Sequence, residues 1–306
     1  MISSTGRLPL SVVIAANHAE GVLGECLAAL TAQVQPGVAE VIVVAHSARD
    51  AAAKLQARFP SVCWVHLDAP ASLAHLRGRG IALAQGEVIA ILDPYAIVAD
   101  NWLEAVRRAH HKHPHWVIGG AVDLDGATER NLLEWALYLY EYGLFMPPVA
   151  CGAAEILPGC NISYKRAALF EGDTPRYPEF WKTFVNWGVE AGHSALWLDP
   201  SILVYLNKPI PFGDFLASRL AHGRCFAAMR TGSAGWGERL ARGLSTPLLP
   251  WLFVWRWGRL IWRKRRHRAR WLLTLPLQWL LFAAWSLGEL AGYLRGAGPS
   301  CQRLYY

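Results

Sequence analysis

Ala84-Gln85-Gly86-Glu87-Val88-Ile89-Ala90-Ile91-Leu92-Asp93-Pro94-Tyr95 is the stretch that decides the fold of this chain. Val88 to Leu92 reads as an apolar strand that delivers Asp93 to its carboxyl end, the edge at which open α/β sheets bind ligands. Working back toward the N-terminus, Leu10 to Ala16 is a β-branched apolar run of the length of a buried parallel strand. Val22 to Ala32 then places Val22, Leu23, Cys26, Leu27 and Leu30 on one helical face. Val41 to Ala45 follows as a strand, Ala51 to Phe59 as a helix, Cys63 to Leu67 as a strand and Leu73 to Ala84 as a helix. Strands and helices that alternate in this way predict an α/β fold: a Rossmann-like, mostly parallel sheet flanked by helices, with right-handed crossovers.

Working forward from Asp93, Asn101 to His111 reads as a helix and Trp116 to Val122 as a strand. Leu132 to Phe145 is an aromatic-rich helix with Trp135, Tyr138, Tyr140, Tyr142 and Phe145. That pattern suits a core or membrane-facing surface better than a substrate platform. A Gly-containing loop at Leu157 to Cys160 runs into a short strand, and helix and strand resume from Glu179 to Tyr205. His110, His111, His113 and His115 cluster at a helix end, where surface exposure is the expectation.

The last fifth differs in kind. Pro247 to Trp262 mixes four tryptophans with two arginines, the composition of an interfacial amphipathic helix. Arg263, Lys264, Arg265, Arg266, Arg268 and Arg270 then supply six of the seven net positive charges within eight residues, which leaves the rest of the chain near +1. A basic face of the kind that grips nucleic acid is therefore not indicated, and lipid headgroups account for the run better. Trp271 to Leu294 has a single formal charge, Glu289, over 24 residues, long enough to cross a hydrocarbon core of about 30 Å. Pro276, Gln278, Gly288 and Glu289 equally permit a re-entrant or in-plane helix. The expected division is a domain over 1–230 and membrane-associated helices over 231–306, with a basic connector at 263–270. Six cysteines without a CxxC or a metal-ligand spacing read as reduced, mostly buried thiols. Leu8 to Ala16 follows Arg7 but continues into a strand-helix-strand pattern, so it reads as the first strand and not as a cleaved signal.

The order of motifs resembles the family 2 glycosyltransferases, which have the GT-A fold and use nucleotide-activated sugars. The likeness covers about residues 9 to 230. Its residues are Val12-Val13-Ile14 with Asn17 and Glu20, then Val41-Ile42-Val43-Val44, then Arg77 and Gly80 ahead of Ala84, Gly86 and Glu87, and Leu92-Asp93. Gly159-Cys160-Asn161-Ile162-Ser163-Tyr164-Lys165-Arg166 resembles the family's acceptor-side segment, and Gly192 the glycine before its last sheet strand. The basic and apolar tail looks like that of membrane-bound members that make cell-envelope or extracellular polysaccharides or glycolipids. Where the family has an Asp that reads the nucleobase, this chain has Ala45, with His46, Ser47 and Asp50 nearby. Where it has Asp-x-Asp, this chain keeps Asp93 and puts Tyr95 second. Where it has a Glu-Asp pair, the best match is Glu179-Phe180.

The resemblance implies an inverting, membrane-associated glycosyltransferase at the cell inner membrane, facing the cytoplasm. Its donor would be a nucleotide sugar and its acceptor a membrane lipid, a lipid-linked glycan or a polysaccharide. Such transfer needs a base, an in-line geometry and positive charge for the departing diphosphate. Glu179 is the candidate base. Asn17, Glu20, Arg77, Asp93, Tyr95, Arg219, His222 and Arg224 are the candidate donor-binding residues, and Gly159, Asn161 and Trp181 lie on the acceptor side. Arg219 and His222 are one helical turn apart, and arginine suits a diphosphate by its fork of donors. Asp93 is the candidate ligand for Mg²⁺ or Mn²⁺, which a phenol at position 95 serves poorly. The loss of the three carboxylates raises a second class, a pseudoenzyme that binds or assembles with a partner transferase or a second copy of itself.

Overall fold

The structure is a computed structural model that describes residues 7–17, 20–46, 49–69, 71–126, 129–192, 194–207, 211–232 and 234–301, with the backbone alone at 17, 20, 21 and 49–52. In chain order the first elements are β1 (Leu10–Asn17), α1 (Glu20–Thr31), β2 (Ala39–His46), α2 (Arg49–Arg58), β3 (Cys63–His66), α3 (Leu73–Leu83), β4 (Val88–Leu92) and β5 (Ala96–Val98). Then come α4 (Trp102–Lys112), β6 (Val117–Leu124), α5 (Leu132–Tyr142), β7 (Gly152–Ala153), β8 (Asn161–Lys165), α6 (Arg166–Leu169), β9 (Phe170–Glu171), β10 (Thr174–Pro175), α7 (Lys182–Ala191) and β11 (Leu196–Leu206). The chain closes with α8 (Phe212–Arg230), α9 (Trp236–Ser245), α10 (Leu249–Lys264) and α11 (Arg268–Arg295).

These elements form two compact units, Met1–Asp125 with Phe145–Lys208 and Gly126–Leu144 with Pro209–Tyr306. The first unit holds a sheet in the order β3-β2-β1-β4-β8-β6-β11-β5, with β7 on β11. β3, β2, β1 and β4 are parallel, as the alternating pattern predicts. Every residue of β4 is buried, which is why its run carries no polar alternation. Glycine lets α3 settle on this half: a Cβ on Gly80 would stand 2.4 Å from Val13 Cγ1. β8 then enters antiparallel between β4 and β6. Asn161 at its start fastens three strands, donating from Nδ2 to Ala121 O and Ile202 O and accepting from Trp102 Nε1.

The second unit is helical. α8 and α11 approach backbone to backbone because glycine lines both sides. Cβ atoms on Gly288 and Gly292 would meet Leu220 O at 2.1 Å and Arg224 O at 2.4 Å, and one on Gly223 would meet Trp285 O at 2.3 Å. This pairing draws α8 into the same unit as α11, so the division falls at residue 209 and takes in α5, whereas the sequence suggests 230. The aromatic face of α5 is core here: Tyr140 packs on Phe215 and Phe282, and Ala136 O accepts from Gln278 Nε2. Cys225 and Cys301 form a disulfide, which corrects the expectation of six reduced thiols.

α11 runs through Pro276 and turns its polar side inward. Thr274, Gln278, Ser286 and Glu289 are buried, whereas Leu272, Leu273, Leu280 and Leu287 are exposed. Glu289 accepts from Trp285 Nε1 and from Tyr293 Oη. The basic connector is a tight helical hairpin in which Arg265 and His267 take positive φ of 55° and 57°.

Candidate active site

β4 ends at Leu92 and hands Asp93 to the carboxyl edge of the sheet, where the residue is 5% exposed. Both of its carboxylate oxygens are engaged by the chain itself. Arg77 Nη2, from α3, donates to Oδ1 at 2.5 Å, and Tyr95 Oη donates to Oδ2 at 2.7 Å. Burial alone lowers the Arg77 pKa, and the charge and hydrogen bond of Asp93 outweigh it, so the guanidinium is held above its ordinary value. Arg77 Nε is buried without a hydrogen-bond partner. The guanidinium thus retains an unused donor.

A closed set of contacts links Asp93 to the segment that carries Glu179. The Asp93 amide donates to Cys160 O, at the end of the Gly159 loop. Lys182 Nζ donates to Leu157 O at 2.6 Å and so ties that loop to the start of α7. Two residues before α7, Phe180 N donates to Ala74 O on α3, one helical turn from Arg77. Gly78 permits this approach, since a Cβ there would stand 2.1 Å from Pro178 O. These contacts tie the segments that carry Arg77, Asp93, Gly159 and Glu179 to one another within the first unit. Trp181 Nε1 donates to Glu179 Oε2 at 3.0 Å, and Glu179 is exposed. Phe180 is buried against Tyr164, whose hydroxyl donates to Asn186 Oδ1.

Several of the expected site residues have other surroundings. Asn161 is 1% exposed and both of its amide protons are bonded to backbone, so it fastens the sheet and does not face an acceptor. Arg219, His222 and Arg224 lie on α8 in the helical unit. Arg219 is buried, 3.9 Å from Glu141 Oε1 and stacked on Phe215, while Arg224 Nε donates to Gly296 O. These two guanidiniums hold their own unit together. The side chains of Asn17, Glu20 and Asp50, and the residues Ser47 and His193, lie outside the described residues. The histidine cluster is only in part a surface feature. His111 is exposed, but His110 is buried with Nε2 on Ser163 Oγ at 2.8 Å.

The surroundings of Asp93 are unsuited to the expected Mg²⁺ or Mn²⁺. A divalent ion of the Mg²⁺ or Mn²⁺ kind needs several oxygen ligands with unspent charge. Asp93 offers a single carboxylate whose oxygens already take a cation and a phenol, and among the described residues it belongs to no group of three potential ligands. The residues do not fit that ion. The Arg77–Asp93 partnership is what sequence reasoning missed: both residues stood out, 16 positions apart, but as separate ligands of the donor. Tyr164 and Lys182 were missed as well, because a buried tyrosine and a lysine at a helix start carry no pattern of their own.

Residues 11–169 match the family described as glycosyl transferase family 2, and the chain belongs to that family. It is a family 2 glycosyltransferase of GT-A fold. The chain is similar to the S. aureus TarS 1–349 crystal structure at a TM-score of 0.50 and 15% identity, covering 93% of this chain and 91% of that one. It is also similar to the mannosyltransferase PcManGT from Pyrobaculum calidifontis, solved in complex with GDP-Man and Mn²⁺, at a TM-score of 0.52 and 16% identity over 91% of this chain and 74% of that one. At these identities the likeness concerns the fold. No curated protein matches the chain.

Proposed function

We propose that this chain transfers a glycosyl group, with inversion, from a nucleotide sugar to a lipid-linked or polysaccharide acceptor at a membrane surface, and that it does so without a divalent ion at Asp93. The observation that carries this reading is the Arg77–Asp93–Tyr95 cluster joined through α3 to the Glu179 segment. Arg77 supplies the positive charge on which the departing diphosphate would settle, with Asp93 orienting the guanidinium. Glu179, exposed and hydrogen-bonded by Trp181, is the base we assign to the acceptor proton. Phe180 cannot do so.

The membrane reading is supported by where apolar surface is exposed. Among the described residues, eighteen of the twenty-two exposed large apolar side chains belong to the helical unit. Trp236, Leu244, Leu248, Trp251 and Trp255 are each more than half exposed. Arg259 covers the Trp255 ring at 5.8 Å, the pairing of aromatic and cation found at a headgroup boundary. α11 is long and apolar enough to cross, but its inward polar face favours a helix lying in the interface. That setting supports a role in envelope or exopolysaccharide synthesis. The basic segment favours the cytoplasmic leaflet of the inner membrane, and the Cys225–Cys301 disulfide argues for an oxidising side. Thiol labelling of intact and lysed cells under non-reducing conditions decides between them.

A second reading is favoured by the same cluster. With both Asp93 oxygens bonded and Phe180 buried where the family has its base, the unit would bind a nucleotide sugar or a partner transferase without turnover. A panel of nucleotide sugars, tested with membrane extract for nucleotide release, separates the two. Transfer above the Glu179→Ala and Asp93→Ala variants supports the enzyme. Binding by calorimetry with release no higher than in those variants supports the binding subunit.

A further inference from the structure

Away from the Asp93 cluster, three side chains of different chemistry converge on β11. The antiparallel register that pairs Leu198 with Gly152 puts Cys151 at the next step, beside Asp199. His113, which caps the C-terminal end of α4, packs its ring against Trp197 at 4.8 Å, two residues from Asp199. One ligand atom from each of His113, Cys151 and Asp199 lies within 4.8 Å of the other two. Nothing in the transferase chemistry calls for this grouping. On β11 it precedes the bulge between Asp199 and Leu203, whereas Tyr95 leads into β5, which pairs with the far end of that strand.

Each of the three retains a free ligand position. His113 Nε2 is buried without a hydrogen-bond partner. The Cys151 thiol is unpaired and exposed. Asp199 accepts from Ser201 N and Ser201 Oγ with Oδ1 alone, which fixes the carboxylate and leaves Oδ2. The surroundings are rigid on the histidine side: Trp197 is flanked by the rings of both His113 and His115, and Lys165 Nζ donates to His113 O and Pro114 O.

We propose that His113, Cys151 and Asp199 bind a borderline-soft transition metal, Zn²⁺ by preference, with solvent as the fourth ligand. The donor set argues for the metal's class. A thiolate excludes hard ions such as Mg²⁺ and Ca²⁺, while imidazole, thiolate and carboxylate together suit tetrahedral Zn²⁺. Two anionic ligands balance the charge of the ion, and binding releases the thiol proton. Bond lengths of about 2.0–2.3 Å draw the three atoms together by roughly 1 Å, a movement the exposed loop of Cys151 allows. The ion would clamp the end of α4, the β7 loop and β11 to one another.

The test uses the full chain, stripped with a chelator and titrated with Co²⁺ alone, then Zn²⁺. One equivalent of Co²⁺ should give tetrahedral d–d bands and a thiolate charge-transfer band, and Zn²⁺ should abolish both. Cys151→Ser removes the charge-transfer band, and His113→Ala or Asp199→Asn weakens binding by about 100-fold or more, beyond the usual cost of changing an outer-shell partner. Bands that survive in Cys151→Ser, or absence of the tetrahedral signature in the parent chain, would overturn the site. A second measurement needs no variant. Cys63 and Cys151 are the two exposed free thiols among the described residues. Zn²⁺ at about ten times its dissociation constant should slow alkylation of Cys151 roughly tenfold and leave Cys63 unchanged. Equal alkylation of Cys151 with and without Zn²⁺ rejects the proposal, and neither readout depends on transferase activity.

Discussion

Asp93 is a buried carboxylate whose neighbours define what it can do. Removing Arg77 leaves that charge unpaired, so Arg77→Ala should cost about 3–5 kcal/mol in urea unfolding, and the replacement Arg77→Lys should cost less. Tyr95→Asp restores the second acid of the family's pattern. Mg²⁺ should then raise the melting temperature of that variant and leave the parent chain unmoved. A matching rise in the parent would show that Asp93 already holds the ion. His110 gives a pH signature of a different kind. Ser163 Oγ donates to Ile118 O, so it accepts from His110 Nε2, and the buried Nδ1 has no partner. Burial, aided by Lys165 and His113, holds the ring's pKa down at about 3 against 6.5 for the free side chain. The unfolded chain therefore takes up a proton that the folded chain refuses. Stability is full above pH 6.5 and should fall by about 1.4 kcal/mol per unit as the pH drops from 6.5 toward 3. His110→Gln should flatten that slope in urea titrations at successive pH values. An unchanged slope would assign the loss to other groups.

At the scale of elements, β1 to β4 were legible because parallel strands buried on both faces must be continuous apolar runs, and the helices between them show their own period. β8 was legible as a strand but not in its direction, since antiparallel insertion between β4 and β6 is set by tertiary pairing. The candidate site was legible residue by residue and not as a geometry. Asp93, Arg77 and Glu179 stood out from motif order, but their assembly depends on glycines whose need for close approach leaves no periodic mark. Gly78 is the clearest case. A Cβ there meets backbone of Pro178, so Gly78→Ala should push the Glu179 segment away from α3. The expected cost is about 1–3 kcal/mol, with a larger fractional loss of transfer than of nucleotide-sugar binding. Equal activity in the variant would detach the segment from the site. The one-turn spacing of Arg219 and His222 reports a shared helix face and not what the neighbouring guanidiniums touch. Arg219 touches Phe215 and Glu141, and Arg224 bonds Gly296 O.

For the whole molecule, sequence and structure agree that the tail is unlike the α/β unit, and the inward polar face of α11 explains why hydropathy alone left its role open. A helix buried in a water-soluble core would turn Leu272, Leu273 and Leu287 inward, and this one turns them out. Anionic vesicles should therefore retain the chain in co-sedimentation. Trp251→Ser combined with Trp255→Ser should weaken retention about tenfold or more, at roughly 1–2 kcal/mol for each buried aromatic. Neutral vesicles that bind equally well would remove the arginine run from the account. The central claim remains that Arg77 and Tyr95 occupy Asp93, so that donor phosphates meet a guanidinium in place of a metal ion. It is tested most directly by nucleotide release from the preferred nucleotide sugar in excess chelator and in Mg²⁺. The account predicts equal rates in both, and a rate lost in chelator and restored by Mg²⁺ would contradict it.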